Sequence, residues 1–126
     1  MNPTPNAAPL RLLSVVMPAR NEEGSLRATV EALHAELARS GVPHEIVVVD
    51  DGSSDGTAGV LRDLASSVPA LRGVRNDGRN GFGRAVIRGL DEARGDAVVL
   101  VMADGSDDCR DVVTYWRTLG AGWDRV

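Results

Sequence analysis

The chain alternates short, unbroken apolar runs with longer segments whose apolar residues recur at helical spacing. LLSVVMP, closed by Pro18, predicts a buried strand. Beyond it Leu26, Val30, Leu33 and Leu37 stand at i, i+4, i+7 and i+11, one face of a helix. Asn21 is the expected N-cap of that helix and Gly41 its terminator. EIVVV predicts a second strand and DDGSSDG a polar turn in which Ser54 or Asp55 caps the next helix. That helix is TAGVLRDLASS, with Val60, Leu61 and Leu64 inward. LRGVRN predicts a weaker third strand, and FGRAVIRGLDEAR a third helix ended by Gly95. DAVVLVM reads as the strongest strand, and the acidic turn DGSDDCRD separates it from a fourth helix, VVTYWRTL.

Continuous Val/Ile/Leu strands alternating with amphipathic helices predict a parallel sheet covered on both faces, a Rossmann-like α/β sandwich. In such sheets ligands bind outside the carboxyl ends of the strands, near the switch point. The segments there are PARNEE, DDGSSDG, NDGRNGFG and ADGSDD, the most polar and the richest in Gly and Asp. Placement and chemistry agree.

Length and composition narrow the picture. A chain of 126 residues suits one domain. Residues 1–10, rich in Pro and Asn, read as a disordered lead-in, and AGWDRV as the approach to a further strand. The net charge of -4 argues against general nucleic-acid binding. Every basic charge is Arg, so a phosphate would be met by Arg, backbone N–H groups or a metal. The single Cys109 excludes an internal disulfide or a multi-Cys zinc site and fits a reducing, cytoplasmic setting. The start has no apolar core of signal-peptide type. The longest uncharged apolar run, Ala97 to Ala103, falls far short of the roughly 20 residues of a membrane helix. The expectation is a soluble chain, or one peripheral to a membrane.

Three rival chemistries can be weighed on residues alone. Asp51, Ser53, Asp55 and Gly56 match the first half of an EF-hand loop, but its twelfth position is Arg62 where a Glu is needed. A phospho-acceptor receiver domain also places an acidic pair after a Val-rich strand. Asp104 could be its acceptor, but it needs a later Lys, and the chain has none. Gly81 and Gly83 form a Gly-x-Gly at a strand-to-helix turn, yet Val86 stands where the dinucleotide fingerprint needs its third glycine. The adjacent Arg79 and Arg84 suit an anionic ligand. Asp50 and Asp51 call for a partner, since carboxylates about 4 Å apart repel by roughly 4 kcal/mol at an effective dielectric of 20. Asp104, Asp107 and Asp108 follow an apolar strand and supply hard oxygen donors suited to Mg²⁺ or Mn²⁺ on a diphosphate, with the later pair partly capping the fourth helix.

Taken together, VVMPARNEEGSL, EIVVVDDGSSDGT, NGFGRAVIRGL and VVLVMADGSDD resemble the family-2 glycosyltransferases of GT-A fold. Within them the chain is most similar to the dolichyl- or polyprenyl-phosphate mannosyltransferase-like group, over roughly residues 11 to 116. The resemblance implies a nucleotide-diphosphate sugar donor, GDP-mannose or a UDP-hexose, and a lipid-phosphate acceptor. Pro18, Ala19, Arg20, Asn21 and Glu22 would line base and ribose, with Asp51 accepting from the base and Asp50 supporting it. Gly81, Gly83 and Ala85 match the family's Gly-x-Gly-x-Ala turn, with Arg79 beside it. Asp104 matches the second Asp of the metal-binding Asp-x-Asp and is the implied catalytic residue. The first Asp of that motif is Met102, a poor ligand for a hard cation, so coordination leans on Asp104, Ser106, water and the diphosphate. Cys109 stands where the family often has Pro. The implied reaction is hexose transfer with inversion, at the cytoplasmic face of a membrane. The family's acceptor-binding half follows the metal motif, so the expectation is a donor-binding fragment, weakly active or inactive. The competing class is a non-catalytic nucleotide-binding or receiver-like signalling module.

Overall fold

The computed structural model describes residues 10–121. The predicted lead-in and the AGWDRV ending lie almost wholly outside the described residues. Eight elements alternate along the chain: β1 (Leu13–Ala19), α1 (Leu26–Arg39), β2 (His44–Asp50), α2 (Thr57–Ser67), β3 (Leu71–Arg75), α3 (Phe82–Glu92), β4 (Ala97–Leu100) and α4 (Cys109–Gly120). The strands form one parallel sheet in the order β3-β2-β1-β4. The α/β class and every predicted element are present.

Strand alternation sorts β1 between two unequal layers. Leu13, Val15, Met17 and Ala19 face the larger core with Ile46 and Val48 of β2. Leu26, Val30, Leu33 and Leu37 of α1, Leu61 and Leu64 of α2, and Val112 and Val113 of α4 close over them. Among the described residues the opposite face carries α3 alone, with Ala85 against Val47 and Val49. Close approach there depends on Gly89, where an added Cβ would lie 2.3 Å from Val16 Cγ1.

Three sequence expectations change. The first concerns the start of α1. Asn21 does not cap it: the helix begins at Leu26, behind Ser25, after a turn in which the Ser25 and Leu26 N–H groups donate to Glu22 O. Gly41 does stop the helix. Its φ is +71°, and the paired bonds Val42 N–H to Leu37 O and Gly41 N–H to Ala38 O make a Schellman closure.

The second concerns Gly95, which does not end α3; the helix stops at Glu92. Gly95 instead lets the chain pass tightly beside β1, where its N–H donates to Ser14 Oγ and a Cβ would meet Leu12 O at 2.6 Å. The third concerns β4, which is not the strongest strand. It is four residues long, pairs only with β1 among the described residues, and leaves Leu100 42% exposed.

Around Glu45, at the end of the sheet where the strands begin, lies a partly buried polar network. Glu45 accepts from Ser14 Oγ at 2.6 Å, the Arg94 N–H at 2.7 Å and Arg72 at 3.0 Å, while Arg72 also pairs with Glu92. Burial pushes the Glu45 carboxyl up, but these bonds outweigh it and hold it below its ordinary 4.5. Next to it, burial lowers the His44 imidazole below its ordinary 6.5; the Val42 carbonyl opposes this and neighbouring His34 adds to it. No helix among the described residues is long and apolar enough to cross a membrane.

Two outcomes follow from this packing. Gly89→Val should destabilise the domain by about 1–3 kcal/mol or more in urea unfolding, since neither Val16 nor Val49 can retreat from a filled sheet. Both depressed groups bind fewer protons folded than unfolded, so each contributes stability that is full above its ordinary value and lost as pH falls. Stability should therefore decline in two steps, the first starting near pH 6.5 from His44 and the second below pH 4.5 from Glu45. His44→Gln should flatten the first step in a pH series of denaturation curves.

Candidate functional site

Chain order and sheet order together locate the switch point. The chain steps outward from β1 to β2 to β3, then returns to the other side of β1 as β4. The gap beyond the carboxyl ends of β1 and β4 is where such sheets bind ligands. There the structure has a cleft of about 320 Å³ lined by Pro18, Ala19, Arg20, Glu22, Asp51, Phe82 and Met102.

The β1 and β2 exits are tied to each other. Ala19 pairs with Asp50, and the Asp51 N–H donates to Ala19 O at 2.9 Å. Asn21 takes a left-handed φ of +54°, donates its N–H to Ser53 Oγ and accepts the Ser54 N–H on Oδ1 at 2.8 Å. The Glu22 N–H donates to Thr57 Oγ1 at 2.8 Å, and Glu23 accepts the Gly56 N–H. Asp55 accepts the Thr57 N–H at 2.9 Å, so it does bond the first turn of α2, with Gly56 at the formal cap position. Asn21 is therefore a strut between two turns.

The acidic pair splits. Neighbouring strand residues point to opposite sides. Asp50 accepts the Ser53 N–H at 3.1 Å and lines a separate hollow between α2 and β3. Asp51, 4% exposed, receives Asn76 Nδ2 at 2.8 Å on Oδ1 and the Gly81 N–H at 3.0 Å on Oδ2. The expected repulsion is thus relieved by separate hydrogen-bond partners for each carboxylate. Gly81, with φ of +150°, makes the turn that aims its N–H at Asp51.

The remaining predicted residues are dispersed. Ala85 is fully buried against the sheet, and Gly83 stands in open space in the first turn of α3. Arg79 and Arg84 line another hollow, with Arg88 and Asn76. Asp104 faces a larger cavity of about 410 Å³ behind the 102–108 turn, walled by Ala28, Ala32, Leu33 and Val112. Met102 alone among the turn residues lines both cavity and cleft.

In the turn that would meet a divalent cation, each carboxylate already accepts a hydrogen bond. The Ser106 hydroxyl and N–H hold the Asp104 carboxyl below its ordinary range, with the N–H at 3.0 Å from Oδ1. Asp107 accepts the Met102 N–H at 2.7 Å, and Asp108 caps α4 through the Arg110 N–H and pairs with the Arg110 guanidinium. Among the described residues no three His, Cys, Asp or Glu side chains converge on one point. Asp104 with Ser106 supplies one carboxylate, fewer hard donors than a resident Mg²⁺ or Mn²⁺ takes. These residues do not by themselves fit a resident metal centre.

Sequence reading missed Asn76, Phe82, Ser53 and Thr57. Asn76 stands within RNDGRNG, where turn chemistry was the visible signal; Phe82 carried none beyond its place at a helix start.

A parallel sheet with helices on both faces and polar turns gathered at its switch point defines a Rossmann-like ligand-binding layer. Residues 14–115 match the family model described as Glycosyl transferase family 2, and the chain belongs to that family. It is 31% identical over 122 residues to the undecaprenyl-phosphate 4-deoxy-4-formamido-L-arabinose transferase of Aeromonas hydrophila, covering 96% of this chain and 37% of that protein. Among solved structures it resembles a mannosyltransferase from Pyrobaculum calidifontis in complex with GDP-Man and Mn²⁺, with TM-score 0.65 and 31% identity over 81% of this chain and 29% of that one. It also resembles the glucosyl-3-phosphoglycerate synthase of M. tuberculosis, with TM-score 0.69 and 31% identity over 89% of this chain and 41% of the other. The chain thus spans about a third of the length of the curated relatives it matches.

Asp51→Ala should leave the Gly81 N–H without its acceptor and Asn76 Nδ2 with only the Arg79 carbonyl at 3.3 Å, and cost about 1–3 kcal/mol. Denaturant unfolding measures the loss, and amide exchange at Gly81 should accelerate beyond the global change if Asp51 is what anchors that loop.

Proposed function

We propose that this chain is the donor-binding portion of a glycosyltransferase that moves a hexose, with inversion, from a nucleotide-diphosphate sugar to a polyprenyl- or dolichyl-phosphate acceptor. The observation that carries the reading is the cleft at the β1/β4 switch point, lined by the PARNE segment, Asp51 and Met102. Its membership of family 2 supplies the reaction class. The donor would be GDP-mannose or a UDP-hexose, as GDP-Man is in the Pyrobaculum neighbour. The lipid-phosphate acceptor follows the names of the curated relatives, and with it a place at the cytoplasmic face of a membrane.

In this reading base and ribose lie against Pro18, Ala19 and Arg20, the Arg20 guanidinium extending to the diphosphate, with the Glu22 carboxylate near the ribose hydroxyls. Glu22 already accepts from Ser25 Oγ at 2.7 Å, which holds its carboxylate in place before any ligand arrives. Asp51 has lone pairs left beyond Asn76 and Gly81 with which to accept from the base. Asn21 and Asp50 act one step back, holding the turns that shape the cleft. Gly81 and Gly83 keep the α3 entrance open, and Ala85 seats it on the sheet. Asp104 stands at the turn that closes the sugar end. A phosphate acceptor oxygen is already anionic and needs little help from a general base. Arg charge stabilises the departing nucleotide diphosphate, the largest electrostatic demand of the step.

A thermal-shift screen of GDP-mannose, UDP-glucose and UDP-N-acetylglucosamine tests the reading. A donor site should be stabilised by about 2.7 kcal/mol at a ligand concentration 100 times its dissociation constant. No shift with any nucleotide sugar, together with a shift by an acyl-phosphate mimic, would replace it with the signalling reading.

A further inference from the structure

We infer that nucleotide-diphosphate binding by this chain needs no divalent cation, because Met102 occupies the cleft position from which a carboxylate would hold one and Arg20 supplies the neutralising charge. The inference rests on the donor-site reading and sharpens its electrostatics. Met102 is the first side chain past β4 to reach the cleft, and its thioether is a poor ligand for a hard cation. Asp104, exposed on the same turn, lines the adjoining cavity rather than the cleft and already accepts the Ser106 N–H. Asp107 is held to the backbone of Met102 itself, and Asp108 to Arg110. The acids lining the cleft, Asp51 and Glu22, already hold Asn76, Gly81 and Ser25, and on the donor-site reading their remaining lone pairs go to the base and the ribose hydroxyls.

Arg20 is the one cation among the cleft-lining residues, is exposed, and makes no ion pair among the described residues. A guanidinium can engage a diphosphate through two parallel N–H bonds, giving charge and geometry together. Met102 thus leaves the cleft neutral on the side where an Asp would have required a cation to offset it. The charge of the ligand then falls to the protein's own arginine.

Calorimetric titration of the intact chain with UDP and GDP, in EDTA and again in Mn²⁺, tests this directly. The expected dissociation constants agree within about twofold between the two conditions. A loss of about tenfold or more in EDTA overturns the inference while leaving the donor site standing. No binding of either nucleotide in either condition overturns the donor reading and the inference together. Titration of Mn²⁺ alone, followed by its EPR signal, should show no protein-bound ion; a bound ion in the absence of nucleotide counts against the inference.

Met102→Asp is the converting variant. It should gain about tenfold in UDP or GDP affinity on adding Mn²⁺. Failure to gain, in a variant with wild-type unfolding behaviour, removes Met102 as the determinant. Arg20→Met should reduce the advantage of UDP over uridine by about tenfold in EDTA, whereas Arg20→Lys keeps most of it. An unchanged advantage in Arg20→Met would assign the charge elsewhere.

Discussion

The parallel pairing of β1 with β2 is the constraint on which the rest of the molecule hangs. Seven residue pairs, from Leu13 with His44 to Ala19 with Asp50, are locked in register between two covered faces. Slipping that register by one residue would turn every side chain of a strand to the wrong layer. Because the strands are parallel, both polar exits emerge at the same end, so Pro18–Glu22 and Asp51–Thr57 must become neighbours. The hydrogen bonds between them then make one rigid platform from two turns. Asp51 extends it to a third segment by holding Asn76 and Gly81. The cleft is a consequence of that register.

The elements and their order were legible in the sequence because buried strands and amphipathic helices obey different periods. Leu26, Val30, Leu33 and Leu37 could hardly face anything but a core, and all four are fully buried. The errors fall where a local signal was ambiguous. Asn21 before a helical run reads as a cap, but its side chain found a better acceptor role across the β1–β2 gap with Ser54, a tertiary partner no window of sequence reveals. Gly95 after a helix reads as a stop signal, whereas its place is set by a neighbouring strand. The site segments were legible as a group, since topology names strand ends. Which residue faces the cleft was not. Asp104 and Met102 are two residues apart, yet only Met102 lines it.

The misjudged strand shows how composition and position can part company. DAVVLVM is apolar at every position after its Asp, the signature of a strand covered on both faces. In the described structure β4 sits at the sheet edge, and only α3 covers that face of the sheet. Leu100 lies in register with Val16 and so points to the α3 side, where α3 itself exposes Ile87 and Leu90. The apolar character of the run therefore exceeds what its described surroundings bury. Composition reports the burial a segment can support; pairing and coverage decide how much of it is used.

The acidic excess of the chain admits the same kind of reading. Aspartates crowded at strand ends invite the idea of a cation site, and the net charge of -4 encourages it. Yet Asp50, Asp55, Asp104, Asp107 and Asp108 each accept a backbone N–H from a residue within five positions. Each satisfies a donor that a tight turn or a helix start would otherwise leave unpaired. Carboxylates used this way are aimed at their own backbone, and among the described residues no three of them converge on one point. The same bonds that shape the loops thus tie up the acids of the turns, and the cleft itself is lined by one arginine, one thioether and two carboxylates, Glu22 and Asp51, each already holding a hydrogen bond. An acid-rich turn region is compatible with an anion-accepting cleft in this fold wherever the acids serve the backbone of their own turns.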